Sequence, residues 1–336
     1  MQLTQIQFDR QQEHLAKVSR TFALTIPLLP TELIDYISNA YLLCRIADTI
    51  EDDPKALVKQ KIAWLNSFAT FCKNEFSDDM QLLSLHKTAI ELVENSANPS
   101  EYDLMQDMLG VISRTRSFPK RIKQILANGV CILSFGMAKS LQGHEIKNLD
   151  DVDSYCYYVA GIVGEILALL FYEQDKTIDK QKLLNLSVSF GEGLQLTNIL
   201  KDRYEDSLRN VSFLPIEKDD AKASLEYIEI CQGHLQDAIN FITSVPRKNT
   251  GIRIFCLLNV LMATATLKRI KSVDICGLQK VKISRNQVKF LYIWSRLIAK
   301  SNLLVKLTFN LIGLGVKKIK RDPVELRNKV SCWELK

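Results

Sequence analysis

Tyr41-Leu-Leu-Cys-Arg45-Ile-Ala-Asp48-Thr-Ile-Glu51-Asp52 spaces its polar side chains as only a helix would gather them. At 3.6 residues per turn, positions i, i+3 and i+4 share a face, so Asp48, Glu51 and Asp52 stand within about one turn. Tyr41 and Arg45 extend that arc, while Leu42, Leu43, Ile46 and Ala47 fill the rest of the helix. A second stretch, Gln195-Leu-Thr-Asn198-Ile-Leu-Lys-Asp202-Arg-Tyr-Glu205-Asp206, repeats the arrangement: counted from Tyr41 and from Gln195, the acids fall at offsets 7, 10 and 11 in both. A helix with one polar stripe is either an ordinary surface helix or an interior helix lining a polar cavity. Like charges at this spacing cost roughly 0.2 to 0.5 kcal/mol per pair, which hydration or bound cations must offset. Two matched copies, the second carrying the uncharged amides of Gln195 and Asn198, favour a divalent-cation site facing a polyanion. A solvated face would carry Lys and Glu there instead.

The rest of the chain supports an all-α reading. It has 336 residues, 47 % of them hydrophobic, with only 13 Gly and 8 Pro, enough apolar mass for a sizeable core and little turn chemistry for sheets. Helical periodicity runs on from Thr31, with breaks near Pro54, 77–79, 96–99, Pro119, 143–153, 175–179, Pro215, 246–251 and 276–286. Asn98-Pro99-Ser100-Glu101 reads as a helix start, with Asn98 as cap and Glu101 reaching back. No stretch is long or polar enough to serve as a linker. The expectation is a single domain over 1–336 of about ten helices around a central cavity, with a core of about 15–300.

Charge and composition restrict the partners. The net charge of +6 suits an anionic ligand or a membrane surface, and the lack of a basic tract with interleaved aromatics argues against nucleic acid. The eight cysteines form no C-x-x-C pair and read as reduced core thiols of a cytoplasmic protein. Four scattered histidines offer no zinc cluster, so oxygen-ligated Mg²⁺, with Mn²⁺ as its substitute, fits the acids better. The N-terminus lacks the form of a signal peptide. The apolar run from Leu303 to Val316 is too short to span a bilayer. With Lys317, Lys318, Lys320 and Arg321 after it, the segment of about 286–321 reads either as a peripheral membrane contact or as a core helix with a cationic end.

On these residues the chain resembles the squalene and phytoene synthase family, over roughly Ser19 to Gln287, and its squalene-forming branch most. Asp48-Thr-Ile-Glu51-Asp52 matches the family's first aspartate-rich motif. Gly191, Gln195, Asn198, Asp202, Glu205 and Asp206 match its extended second motif. The resemblance implies an isoprenoid-synthase-type helical bundle in which Asp48, Asp52, Asn198, Asp202 and Asp206 hold Mg²⁺ against a prenyl diphosphate, with Glu51 and Glu205 as further candidate ligands. Ser19-Arg20-Thr-Phe22 and Arg45 match diphosphate-contacting positions, which Gln195 and Lys201 complete. Tyr155-Cys-Tyr-Tyr-Val-Ala160-Gly161 resembles the family segment whose first tyrosine assists proton transfer. Lys280-Val-Lys282-Ile-Ser-Arg285 is similar to the stretch beside an NADPH site, implying cofactor contacts from Lys282 and Arg285 together with Arg20 and Arg45.

The chain departs from the family pattern at three places: Val211 stands where an arginine is usual, Lys201 replaces an arginine before Asp202, and Ser284 replaces one in the NADPH-like stretch. Phe22, Tyr41, Tyr158, Phe190 and Leu194 are equally readable as lining of a dry cavity or as plain core. The implied reaction is head-to-head condensation of two farnesyl diphosphates to presqualene diphosphate, then NADPH-dependent reduction to squalene. The alternatives are a phytoene- or dehydrosqualene-type synthase, an enzyme that stops at presqualene diphosphate, and a non-catalytic relative acting in assembly.

Overall fold

The computed structural model describes residues 2–143, 145–209, 211–217 and 220–335, apart from the side chains of 2–4, 6, 20 and 335. Among them are sixteen α-helical segments and no strand. The chain forms two compact units, one of 1–144 with 332–336 and one of 145–331.

The first unit contains α1 (Gln2–Val18), α2 (Arg20–Thr25), α3 (Thr31–Glu51), α4 (Val58–Lys73), α5 (Asp79–Val93), α6 (Pro99–Gln106), α7 (Met108–Arg116) and α8 (Lys120–Ser140). Its breaks fall where the punctuation is strongest. Asn98 caps α6, accepting from the backbone N–H groups of Ser100 and Glu101 at 3.1 and 3.0 Å, and Pro119 precedes α8. The apolar side of α3, including Leu42, Leu43, Ile46, Ala47 and Ile50, is wholly buried. Helices α4 and α8 pack on each other, and Trp64 and Phe68 of α4 stack at 4.9 Å. Burying aromatic area of this kind contributes roughly 1.5 to 3 kcal/mol per side chain.

The second unit contains α9 (Leu149–Cys156), α10 (Ile162–Gln174), α11 (Lys180–Leu208), α12 (Ala221–Ser244), α13 (Thr250–Val273), α14 (Arg285–Ile298), α15 (Asn302–Ile312) and α16 (Pro323–Val330). One wide π-type turn, Tyr157–Gly161, joins α9 to α10. Helix α11 packs against α10, α12, α13 and α16. It lies so close to its neighbours that a Cβ on Gly164 would sit 2.0 Å from the Ser187 carbonyl oxygen, and one on Gly191 2.2 Å from that of Ala160. Only glycine permits such an approach. Phe190 belongs to this core, stacked on Phe241 at 4.9 Å, so it packs rather than lining a cavity.

All eight cysteines are free thiols, five of them buried. Helix α13 and the continuous run 149–174 are long and apolar enough to cross a membrane by length and composition, but their most apolar windows are 83 % and 67 % buried within the protein. A core role accounts for them.

Candidate functional site: two acidic helix stripes

The first stripe lies on the last three turns of α3. Asp48 and Glu51 are partly buried, while Asp52, at the helix C-cap, is exposed. Burial pushes the Asp48 carboxyl up to about 7, with the nearby Arg45 guanidinium opposing and Asp52 and Glu101 adding to the rise. Glu51 is pushed up to about 8 by burial and by the charges of Asp52 and Asp48, against Lys61. These acids therefore repel one another in a partly dry setting, and a cation would relieve both costs.

Arg45 is 3.8 Å from Asp48, and its guanidinium also pairs with Glu101 on α6. Glu101 thus answers a half-buried charge rather than its own helix start. Ser19 caps α2, accepting from the Phe22 N–H at 3.2 Å, and Phe22 packs on Tyr41 at 5.1 Å between ring centroids. The Arg20 side chain lies outside the described residues.

The second stripe lies on the last four turns of α11. Asn198 is exposed, and Gln195, Asp202 and Glu205 are partly accessible. Asp206 is buried. Here every acid has a cation. Lys201 lies 3.1 Å from Asp202 and 3.5 Å from the Asn198 amide oxygen. Arg209 pairs with Asp206, and Lys280 with Glu205. Lys280 and Lys282 hold Glu205 below the usual carboxylate range. Burial raises Asp206, opposed by Arg209 and reinforced by Asp202 and Glu205.

Asp206 also edges a cavity of about 510 Å³ whose walls include Ile199, Arg203, Phe213, Leu214 and Leu278. Arg203, which the spacing gave no reason to single out, spans from Ser224 at 2.8 Å to the Ile275 carbonyl at 3.3 Å. Tyr155 lies face to face with Phe213, ring centroids 4.8 Å apart at 20°. Lys282 and Arg285 are exposed, Arg285 opening α14 behind the Ser284 cap.

Among the described residues no three His, Cys, Asp or Glu side chains converge as a ready metal cage. Mg²⁺ keeps several waters and takes one or two carboxylates together with substrate phosphate, a demand that oxygen donors of the kind on the two stripes could meet. The donors are all oxygen, and the mutual repulsion within α3 is what a hard dication would neutralise. Lys282 and Arg285, exposed and three residues apart, are a chemically apt pair for a nucleotide's phosphates.

A model of the family described as squalene/phytoene synthase matches residues 15–222. The chain belongs to the squalene/phytoene synthase family. A squalene synthase of Nicotiana benthamiana is 29 % identical over 275 residues, covering 75 % of this chain and 62 % of that protein. A protein of Arabidopsis thaliana described as inactive squalene synthase 2 is 32 % identical over 193 residues, covering 57 % of this chain and 43 % of the relative. The chain thus spans less than two thirds of the length of these curated relatives. A solved structure of TcSQS with a bound ligand superposes with a TM-score of 0.74 at 23 % identity, covering 96 % of this chain and 97 % of that one. At that identity the likeness speaks for the fold alone.

Proposed function

We propose that this chain condenses two molecules of farnesyl diphosphate head to head with Mg²⁺, then reduces the product with NADPH to squalene. The observation that carries the reading is the pair of stripes. In a member of this family, both helices keep oxygen donors on their accessible side, and Asp48 and Glu51 are pushed up by burial and by neighbouring acids, Asp52 and Glu101 for Asp48 and Asp52 and Asp48 for Glu51.

Asp48, Asp52, Asn198, Asp202 and Asp206 would hold Mg²⁺, with Glu51 and Glu205 able to join them. When bound, Mg²⁺ neutralises the diphosphate so that it leaves as pyrophosphate. The chain's own groups do the rest. Ser19, Arg20, Arg45, Gln195 and Lys201 would position diphosphate oxygens, Lys201 as a point charge rather than a fork.

In the first step the C1–O bond of one substrate breaks, and the double bond of the other supplies electrons to the resulting allylic cation. Loss of one proton then closes the cyclopropane of presqualene diphosphate. Tyr155 is the candidate acceptor, working with the departing diphosphate, and the Phe213 ring fixes its plane. In the second step another pyrophosphate leaves and the cation rearranges; Lys282 and Arg285 would hold NADPH, which when bound would supply the hydride that gives squalene. Apolar walls such as those beside Asp206 would keep water from capturing these cations.

Incubation with farnesyl diphosphate, Mg²⁺ and NADPH, read by mass spectrometry, tests the whole reading. Squalene only in the presence of NADPH is the expected result. The same dehydrogenated hydrocarbon with and without NADPH would remove the reduction step, and accumulation of presqualene diphosphate would end the reaction there. No turnover at all would favour a non-catalytic role, which the inactive Arabidopsis relative makes worth testing.

A further inference from the structure

We infer that Arg203 is a phosphate-binding residue, whose guanidinium turns one open edge into the cavity beside Asp206 to take two oxygens of a phosphate group. The source of that phosphate, a prenyl diphosphate or a nucleotide, rests on the function proposed above; the open edge and the cavity do not.

One side of the guanidinium is occupied and the other is open. Nη1 donates to Ser224 Oγ at 2.8 Å and to the Ile275 carbonyl at 3.3 Å. Nε and Nη2 have no acceptor among the described residues, and Arg203 lines the cavity. These two nitrogens form the side edge of the group, whose parallel N–H bonds match two oxygens of one phosphate. The Nη1 contacts hold the plane in advance, so little freedom is lost when the fork is filled. A mere tie from α11 to α12 and to residue 275 uses Nη1 alone and leaves the fork idle.

Charge points the same way. Arg203 and Asp206 are the charged residues of the described cavity wall. Asp206 is paired with Arg209, whereas Arg203 makes no ion pair among the described residues. Asp274, the acid that acts on Arg203 through space, instead accepts the Gln279 backbone N–H at 2.7 Å. A partly buried cation with neutral acceptors alone keeps much of its desolvation cost, and an anionic ligand would offset it.

The cavity has room for such a ligand. Its volume of about 510 Å³ falls within the roughly 300 to 1,000 Å³ of small-molecule sites. Ile199, Phe213, Leu214 and Leu278 make much of the remaining wall apolar, so a phosphate at Arg203 leaves space for a chain or a ring beside it. Gly277 keeps the fork uncovered. Its φ is +73°, and a Cβ there would sit 2.7 Å from Arg203 Cβ and 3.2 Å from Nε. Glycine alone lets the loop pass this close in that conformation.

The test is calorimetric titration of the full chain with inorganic pyrophosphate and with adenosine 2′,5′-bisphosphate, in Mg²⁺-free buffer of low salt. Saturable binding of at least one is expected, and the probe whose binding depends on Arg203 names the source of the phosphate. Arg203→Lys keeps the charge but loses the fork, and should weaken that binding about tenfold or more. Leu278→Glu sets a carboxylate on the same wall at a position that is 53 % exposed, and should weaken it similarly with an unchanged circular dichroism spectrum. Wild-type affinity in either variant, or no saturable binding by the wild type, overturns the inference. Turnover is not the readout, so a chain that makes no squalene can still bear the inference out, and an active chain whose binding ignores Arg203 overturns it alone.

Discussion

The two acidic stripes share one spacing but not one electrostatic condition. On α3, Asp48 and Glu51 are pushed up towards and past neutrality, because the cations within reach do not offset burial and mutual repulsion. On α11, Lys201, Arg209 and Lys280 have already answered Asp202, Asp206 and Glu205. Spacing thus determines where carboxylates gather, while burial and the cations paired with them, neighbours in the chain for Lys201 and Arg209 and distant for Lys280, determine how strongly they call for a cation. A dication would relieve the α3 stripe more, and on the α11 stripe it would have to displace a lysine or an arginine.

The largest expected effect tests whether both stripes serve the chemistry. Asp48→Asn and Asp202→Asn should each lower Mg²⁺-dependent turnover of farnesyl diphosphate by about a hundredfold or more without altering the circular dichroism spectrum. Wild-type turnover in either variant would make that stripe dispensable.

Gly191→Ala comes next, since its Cβ would collide with the Ala160 carbonyl. Overpacking at such a contact costs about 1 to 3 kcal/mol. A chemical denaturation curve should show that loss, and Mg²⁺ response should weaken through α11 alone. An unshifted curve would mean that the helices are not held at this distance.

A pH series separates the stripes more finely. Acids raised in the fold bind more protons folded than unfolded, so the stability from neutral Asp48 and Glu51 is full below about pH 4 and fades as pH rises through about 7 and 8. Glu205 runs the other way, stabilising above its unfolded value and losing that as pH falls. The metal-free protein should therefore melt a few degrees lower at pH 8 than at pH 6, and Asp48→Asn/Glu51→Gln should flatten that slope. An equal slope in the double variant would place its origin elsewhere.

The smallest effect belongs to Lys280→Ala. Freeing Glu205 should make the second stripe more like the first and lower the half-saturating Mg²⁺ concentration by about two- to threefold. A higher requirement would mean that Lys280 itself touches substrate.

Much of the fold was legible from local signals. Asn98 and Pro99 start α6 as their types require, Pro119 and Asp179 mark further starts, and the offsets of Asp48, Glu51 and Asp52 place them on one side of a helix. What spacing could not show is pairing across the chain. Arg45 and Glu101 are 56 residues apart, and Glu165 and Arg327 are 162 apart. Neither member of a pair carries a local mark of the other. Lys280 was visible only as one basic residue among several, and Phe213 only as the residue before Leu214-Pro215, although it fixes the Tyr155 ring. The same limit applies to the subdivision of α6 from α7 at Asp107, where no Pro or Gly announces the break.

The wide turn at Tyr157–Gly161 acts as a phase shifter. A π-type turn amounts to one residue inserted into an α-helix, and one residue corresponds to about 100° of rotation. Deleting a single residue there would let α9 and α10 run on as one regular helix. It would swing Tyr155 away from Phe213, while the Glu165 network with Tyr157, Arg327 and Ser331 would keep α10 in place. The orientation of the candidate proton acceptor thus depends on the parity of a short count along the chain, and a length change in this turn would act on it more severely than most substitutions nearby.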